Sequence, residues 1–415
     1  MKTYLVGGAV RDTLLGLAVR ERDWLVTGSD PQQLLRLGYR QVGRHFPVFL
    51  HPDTHEEYAL PRAAPGNEGD TPATLEQDLA RRDLTINAMA MDVDGQLIDP
   101  LGGEQDLRDR LLRHTPAFRD DPLRVLRLAR FAARYRSLGF RLAAETLALA
   151  RRMVRAGDLD GLVPERVFAE IAKAFAQDDP VAFIQTLRRM RALAVVLPEV
   201  DRLFGVPQPV RFHPEVDTGK HTLMVLQQAC RLSRQAPTRF ASLLHDVGKG
   251  ATPKQDWPRH IAHEQRGVPL IQALARRLCL PNAWRDLAVL ACRYHLHCHR
   301  ALELKPKTLL KTLNALDAFR QPQRFEQFLL VCEADMRGRK GLQQQPYPQK
   351  VFLAGALHAA KAVDLQVLSG SADGGGGIAA RIARLRISAI AGYRQAFEAT
   401  PVPEEPPPGE GASRA

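Results

Sequence analysis

Apolar positions recur first at a spacing of two and later at three to four, and this change of period divides the chain. Residues 3–6 (TYLV), 24–26 (WLV) and 57–60 (EYAL) are short β-like runs bounded by turn residues, and residues 89–98 read as a hairpin through Asp94-Gly95. Helical patterns over 10–17 and 31–37 fall between the strands, so the first hundred residues form a head of mixed strands and helices. Beyond about residue 101 the period becomes helical. Leu123, Leu126, Leu128 and Phe131 share a face, and residues 143–153 repeat the pattern. A second helical block, about 218–339, carries most of the histidines. Residues 369–377 (SGSADGGGG) read as a flexible interruption, and the tail 401–415 (PVPEEPPPGEGASRA) is expected to be disordered. No internal repeat is evident. The expected divisions are 1–110, 111–200, 219–320 within a helical block reaching about 345, 346–400 and 401–415.

A chain of 415 residues accommodates two or three such domains, and 45% hydrophobic with 25% charged residues is ordinary for a globular protein. Composition changes the picture in one respect. Lys and Arg outnumber Asp and Glu by 58 to 46, a net +12, which suits a polyanionic partner as well as it suits a merely solvated basic surface. The five cysteines are scattered without CxxC spacing, which argues against a disulfide scaffold or zinc ribbon and fits a reducing cytoplasm. Met1-Lys2-Thr3-Tyr4 leads directly into a strand, so no signal peptide is expected. No apolar stretch is long enough to span a bilayer.

Candidate chemistry begins at Gly7-Gly8-Ala9-Val10-Arg11-Asp12, between a strand and a helix. Paired glycines let the backbone approach a phosphate chain, the helix start favours negative charge, and Arg11 can add a charged fork. Glu21-Arg22-Asp23 follows at the mouth of the next apolar run. Residues two apart on a strand share a face, so the two carboxylates converge, and with triphosphate oxygens they form a donor set for Mg²⁺. One metal ion can activate an attacking hydroxyl while a second steadies pyrophosphate. Arg81-Arg82-Asp83-Leu84-Thr85-Ile86-Asn87-Ala88 comes next. There Arg82 can neutralise phosphate, and Asp83 and Asn87 can reach ribose hydroxyls. Alone, each run also reads as an ordinary turn, strand entrance or helix start.

Taken in order, GGAVRD, the carboxylate-x-carboxylate pair, RRDLTINA and DDPLRVLRLARFAARY resemble the bacterial CCA-adding tRNA nucleotidyltransferases of the polymerase-β-like superfamily. The likeness runs from residue 1 to about 345. It implies an α+β protein: a nucleotidyltransferase head, mainly antiparallel sheet with helices, followed by an all-α neck, body and HD domain. It also implies Glu21 and Asp23 as catalytic Mg²⁺ ligands, tRNA with ATP and CTP as partners, and no membrane; a homodimer is left open. Gly8, Arg11, Arg82, Asp121, Arg124, Arg127 and Arg130 become the nucleotide-binding candidates.

Chemistry explains why Asp121 and Arg124 suit base selection. They are three apart on an expected helix and so neighbours on one face. Cytosine and adenine both present an amine beside a ring acceptor; a carboxylate accepts from the first and a guanidinium donates to the second. Uracil and guanine place a carbonyl opposite the carboxylate. Arg127 and Arg130 continue the stripe toward triphosphate or ribose. Two departures from the family pattern stand out. Glu21 occupies a position where the usual residue is Asp, which keeps the ligand type. Residues 61–73 (PRAAPGNEGDTPA) replace a longer glycine- and aromatic-containing loop that the family uses to switch to adenosine, so an enzyme adding only two cytidines is an alternative.

In the second block, Leu243-Leu244-His245-Asp246-Val247-Gly248-Lys249 resembles the HD-domain signature. His221, His245, Asp246, His263 (from HIAHE) and Asp335 are the expected ligands of a transition metal, Ni²⁺ among the candidates. His295, His297 and His299 are expected at the surface, with His295 a substitute ligand. Resemblance to HD-bearing relatives implies phosphatase, 2′-nucleotidase and 2′,3′-cyclic phosphodiesterase activities. A poly(A) polymerase and a non-catalytic RNA-binding protein are the remaining readings.

Overall fold

The structure, a computed structural model, describes residues 1–19, 21–42, 48–61, 73–364 and 377–399. The chain divides into two compact units, Met1–Asp201 with Arg276–Cys279, and Arg202–Ala275 with Leu280–Ala415. Most of the shortened loop, the glycine-rich run and the tail fall outside the described residues.

The first unit opens with β1 (Lys2–Val6), α1 (Gly8–Leu14), β2 (Asp23–Thr27), α2 (Pro31–Arg36), β3 (Arg40–Val42), β4 (Val48–Leu50) and β5 (Glu57–Ala59). It continues through α3 (Leu75–Ala80), β6 (Ala90–Met91), β7 (Leu97–Ile98), α4 (Gly103–Arg108) and β8 (Leu111–Leu112). Strands β1 to β7 form one sheet in the order β3-β4-β5-β2-β1-β6-β7, antiparallel except for β2 beside β5. This is the antiparallel-rich head that the α+β reading anticipates. Period-two alternation puts Leu25 into a core with Val6, Leu75 and Leu79 on one face of the sheet, and Val26 against Leu34 and Phe49 on the other. The 89–98 hairpin forms, its turn tied by Asp92 accepting from the Asp94 and Gln96 amides. Helix starts follow local chemistry. Asp30 caps α2 through the Gln33 amide, and Thr74 with Gln77 forms a capping box at α3.

The unit then becomes helical: α5 (Arg124–Arg134), β9 (Arg141–Leu142) paired with β8, α6 (Ala144–Arg155), α7 (Pro164–Phe175), α8 (Pro180–Arg189), α9 (Leu193–Val196) and α10 (Pro198–Asp201). One face of α5, including Val125, Leu126, Leu128 and Ala129, is fully buried.

The second unit is α-helical: α11 (Thr218–Leu232), α12 (Ala236–Leu244), α13 (His263–Arg277), α14 (Asn282–His299), α15 (Pro306–Ala315), α16 (Pro322–Arg337), α17 (Pro348–Lys361) and α18 (Ile378–Ala399). Helices α11, α12, α14 and α16 pack on one another and carry most of the histidine chemistry inward. None of the described helices is long and apolar enough to cross a membrane.

Two candidate active sites

In the head, the antiparallel register sets Val6 opposite Asp23, so the chain leaves β1 into Gly7 beside that carboxylate. Gly7 has φ 67°, and a Cβ there would lie 2.5 Å from Arg82 Nη1. Glycine is favoured by the left-handed turn, and a side chain there would also have to displace the guanidinium lying against it. Arg82 is held by Asp78, whose Oδ2 accepts from Nε at 3.2 Å and Nη2 at 3.0 Å. Partial burial raises the Asp23 carboxyl above its ordinary pKa; Arg82 opposes this and Glu21 adds to it. Glu21 stands just before β2, and both carboxylates line an open cavity of about 490 Å³ with Thr54, Glu56 and Glu57. Only Asp23 lies inside the strand, so the shared strand face expected for the pair does not form, although both carboxylates line the same cavity.

Arg11 lies beneath the turn, 3% exposed, its Nη2 3.3 Å from where a Gly8 side chain would begin. It donates to Asp12 Oδ1 at 2.9 Å and to Asn87 Oδ1, and lies over the Phe131 and Tyr135 rings. Asn87 in turn donates to Asp83 Oδ1 at 2.8 Å, and Arg127 Nε donates to Asp83 Oδ2 at 2.7 Å. Burial opposes charge on Asp83, yet Arg127, Asn87 and the Leu84 amide outweigh it and hold its pKa below the usual value. Asp83 and Asn87, expected to face ribose, are instead buried and bonded to each other.

Three expectations for the neck are corrected. Helix α5 begins at Arg124, so Asp121 is not on the same helix. It is extended one turn earlier, where its Oδ1 accepts from the Leu123 amide at 3.1 Å and its Oδ2 from Arg166 at 2.7 Å. Arg124 does not meet Asp121 through its side chain. Its guanidinium donates to the carbonyls of Arg81, Arg82 and Ala117, and so ties down the loop bearing Arg82. Arg130 does not continue a phosphate-facing stripe. It is 9% exposed and donates to Glu170 Oε2 at 2.6 Å, a counter-ion on α7 that spacing along α5 could not disclose. Arg127 stays half-buried between Asp83 and Glu170, its Nη1 3.9 Å from Glu170 Oε1.

The second unit gathers His221, His245, Asp246, His263 and Asp335 as expected, all buried. Gly248 makes this approach feasible: a Cβ there would lie 1.9 Å from the His263 carbonyl, so the turn after Asp246 seats directly on α13. His221 Nε2 is 3.1 Å from Asp335 Oδ1, His245 Nε2 is 3.1 Å from Asp246 Oδ2, and His263 Nε2 is 3.1 Å from Asp246 Oδ1. Burial disfavours charge on His245, but Asp246 and Asp335 outweigh it and raise its pKa to about 10. Burial also opposes charge on the two carboxylates. His245, with Lys249 beside Asp246 and His299 beside Asp335, nevertheless holds both well below the carboxylate range. His245 Nε2 and Asp246 Oδ1 are buried without a hydrogen-bond partner, which fits a pocket built for a cation.

His295 is not a surface residue. It is 2% exposed, its Nε2 lies 3.3 Å from that of His263, and burial lowers its pKa to about 3. His299, one turn further along the same face of α14, is half-buried and 2.7 Å from Asp335 Oδ2, while His297 is exposed as expected. The i,i+4 spacing of His295 and His299 was the available signal. Glu215 and His213 were not anticipated; Glu215 Oε1 is 2.9 Å from His221 Nδ1 and 3.1 Å from His213 Nδ1.

Family models match three stretches: a poly A polymerase head domain over 3–113, a probable RNA and SrmB-binding site of polymerase A over 139–204, and an HD domain over 218–360. The multifunctional CCA protein of Alkalilimnicola ehrlichii is 58% identical over 407 residues, 96% of this chain and 98% of its own. Among solved structures, a CCA-adding enzyme with CTP has a TM-score of 0.64 at 19% identity, covering 94% of this chain and 87% of that one. The Thermotoga maritima CCA-adding enzyme complexed with tRNA also has a TM-score of 0.64, at 17% identity over 96% of this chain and 91% of that one.

Proposed function

The chain belongs to the multifunctional CCA proteins, and on that premise we propose that it adds and repairs the 3′-terminal CCA of tRNA from CTP and ATP, releasing pyrophosphate. The observation that carries this reading is the meeting of the Gly7-Gly8 turn, Arg82, Glu21 and Asp23 at one end of the head sheet. Glu21 and Asp23 would hold Mg²⁺, which when bound supplies Lewis acidity to the attacking hydroxyl and the leaving pyrophosphate. Gly8 and Arg82 cradle the triphosphate, with Arg11 supporting the turn from below. Arg127, held at Asp83, faces ribose or phosphate. Asp121 and Arg124 read the base edge; CTP or ATP must then compete with Arg166 and with the three carbonyls that these side chains now engage.

The buried cluster is a phosphohydrolase centre for damaged RNA ends, acting on phosphomonoesters and 2′,3′-cyclic phosphates. His221, His245, Asp246, His263 and Asp335 would hold a divalent transition metal, Ni²⁺ among the candidates, that supplies Lewis acidity at the phosphoester.

The deciding experiment incubates tRNA lacking CCA with CTP alone, ATP alone, or both, and reads products at single-nucleotide resolution. Two additions with CTP and a third with both nucleotides are expected. A halt after two with both present assigns the enzyme to cytidine addition only, in line with its short 61–73 segment. No addition at all overturns the nucleotidyltransferase reading.

A further inference from the structure

The stretch of chain that joins Asp246 to His263 builds a cavity of its own. It leaves Asp246 through a short 3₁₀ helix, Val247–Ala251, and enters α13 at His263. Thr252, Asp256, Trp257, Arg259 and Ile261 on this stretch, with Arg266 on α13, line a cavity of about 480 Å³. That size is ordinary for a small-ligand site.

The walls are held by hydrogen bonds whose directions are fixed. His260 Nε2 lies 2.8 Å from the Pro207 carbonyl, which only accepts, so this nitrogen carries the proton. Burial lowers the His260 pKa and favours the neutral ring, so Nδ1, 2.9 Å from Thr252 Oγ1, accepts the hydroxyl proton. The Thr252 oxygen in turn accepts from Arg266 Nη2 at 3.0 Å, and the Ile261 carbonyl accepts from the same nitrogen at 2.7 Å. Trp257 Nε1 donates to the Thr252 carbonyl at 3.2 Å. The one donor of the indole is thus engaged by its own chain, and what Trp257 offers a ligand is its ring.

The groups left over suit a nucleotide. Among the described residues Arg259 has neither an ion pair nor a side-chain hydrogen bond, and Arg266 has no ion pair and a buried Nε without a partner. Asp256, the carboxylate on the same wall, pairs with neither. Other arginines of this unit, Arg285, Arg320 and Arg324, each meet an aspartate. Lys254 Nζ, 6.0 Å from the centre of the Trp257 ring, adds further positive charge. Ile261 is 76% exposed, so an apolar side chain stands at the same cavity. An aromatic ring for a base and guanidiniums for a phosphate are the means by which proteins hold single-stranded RNA.

We propose that this cavity holds the 3′-terminal nucleotide of the RNA end to be processed, with its base against Trp257 and Ile261 and its 5′-phosphate at Arg259 and Arg266. This rests on the reading of the neighbouring cluster as a phosphohydrolase centre. The cavity is made by the connection between two residues of that cluster, so a nucleotide seated there is bounded by the segments that present Asp246 and His263.

The test uses the full-length chain and two readouts. Binding of adenosine 3′,5′-bisphosphate is followed by equilibrium dialysis. Trp257→Ala and Arg259→Ala, checked for fold by circular dichroism, should each weaken it about tenfold, and Trp257→Phe should retain most of the affinity because a phenyl ring still stacks. In hydrolysis, Trp257→Ala should lower the preference for adenosine 2′,3′-cyclic phosphate over base-free ribose 2′,3′-cyclic phosphate about tenfold. Arg259→Ala should cancel the advantage gained by adding a 5′-phosphate to the adenosine substrate. Absence of binding by the parent, or binding and preferences unchanged in both variants, overturns the nucleotide site; so does a folded Trp257→Phe protein that behaves like Trp257→Ala. If the parent hydrolyses none of these cyclic phosphates, the phosphohydrolase reading falls, and the binding losses alone decide the cavity.

Discussion

The two candidate centres differ in how their ligands are held before anything binds. In the head, Glu21 and Asp23 lie at an open cavity, and partial burial of the Asp23 carboxyl pushes it toward its neutral form. In the second unit His221 and His245 are 0% exposed, Asp246 1% and Asp335 3%, and both carboxylates are held firmly ionised. A buried charge survives only with compensation, and that unit supplies it: Lys249 beside Asp246, and His299 beside Asp335 with Tyr347 Oη 2.8 Å behind His299. The head supplies less, Arg82 beside Asp23, and on the proposed function its metal would arrive with a triphosphate that completes the shell and neutralises the charge. On that reading an open centre is completed by its substrate, and an enclosed one is built in advance.

The largest expected effect tests this separation. Asp23→Ala should lower CMP transfer by on the order of 10³-fold or more, the rate equivalent of several kcal/mol of metal-ion stabilisation. Its tRNA affinity and its cyclic-phosphate hydrolysis should be unchanged; near-normal transfer by the folded variant would sink the assignment of the head centre. The reciprocal variant, His245→Ala, should abolish hydrolysis of a 2′,3′-cyclic phosphate while CMP transfer stays within about twofold of normal, less than the 1.4 kcal/mol of a tenfold change. Loss of both activities in that folded protein would break the comparison, because the centres would then not be independent.

Glu170→Ala should cost about 3–5 kcal/mol of stability, since it strands Arg130 as a buried unpaired charge. Adding Arg130→Met to Glu170→Ala should restore part of that loss in urea melts. If it restores nothing, Arg130 is not the structural counter-ion described. A smaller effect is expected at the base-reading pair. Asp121→Ala should narrow the preference for CTP over UTP by the equivalent of one charged hydrogen bond, on the order of 1.5–3 kcal/mol, read as a ratio of kcat/KM values. An unchanged ratio would leave Asp121 as no more than a turn and cap residue.

The smallest effect is in pH dependence. Asp23 must be ionised to hold a cation, and its pKa lies above the ordinary aspartate value, so acidification should remove nucleotidyl transfer at a higher pH than an unperturbed aspartate would. Arg82 favours the charged form, so Arg82→Ala should shift this acid limb further toward neutrality, whatever it does to the maximal rate. Asp246 and Asp335 are held in the opposite direction, and the hydrolytic activity of the same variant should keep its acid limb. A parallel shift in both profiles would show that Arg82 acts on the whole molecule and not on the head centre.

Sequence alone determined the features that depend on near neighbours. Alternation in WLV sets Leu25 and Val26 on opposite faces of the sheet, Asp30 and Thr74 start their helices, and Gly7-Gly8, Glu21-x-Asp23 and His245-Asp246 bring donors together along a few residues of chain. Tertiary structure decided whatever depends on who packs against whom. Strands β3, β4, β8 and β9 are two or three residues long and hold only through their partners, so no run of side chains announced them. Arg130 and Glu170 are 40 residues apart, and a helical arginine pointing to solvent has the same spacing as one facing a buried carboxylate. His295 and His299 sit in a stretch with His297 between them, and only the packing of α14 on α12 and α16 sends two of the three rings inward. Period and motif are properties of a few neighbouring residues, whereas burial and the identity of a counter-ion belong to segments that meet only when the chain has folded.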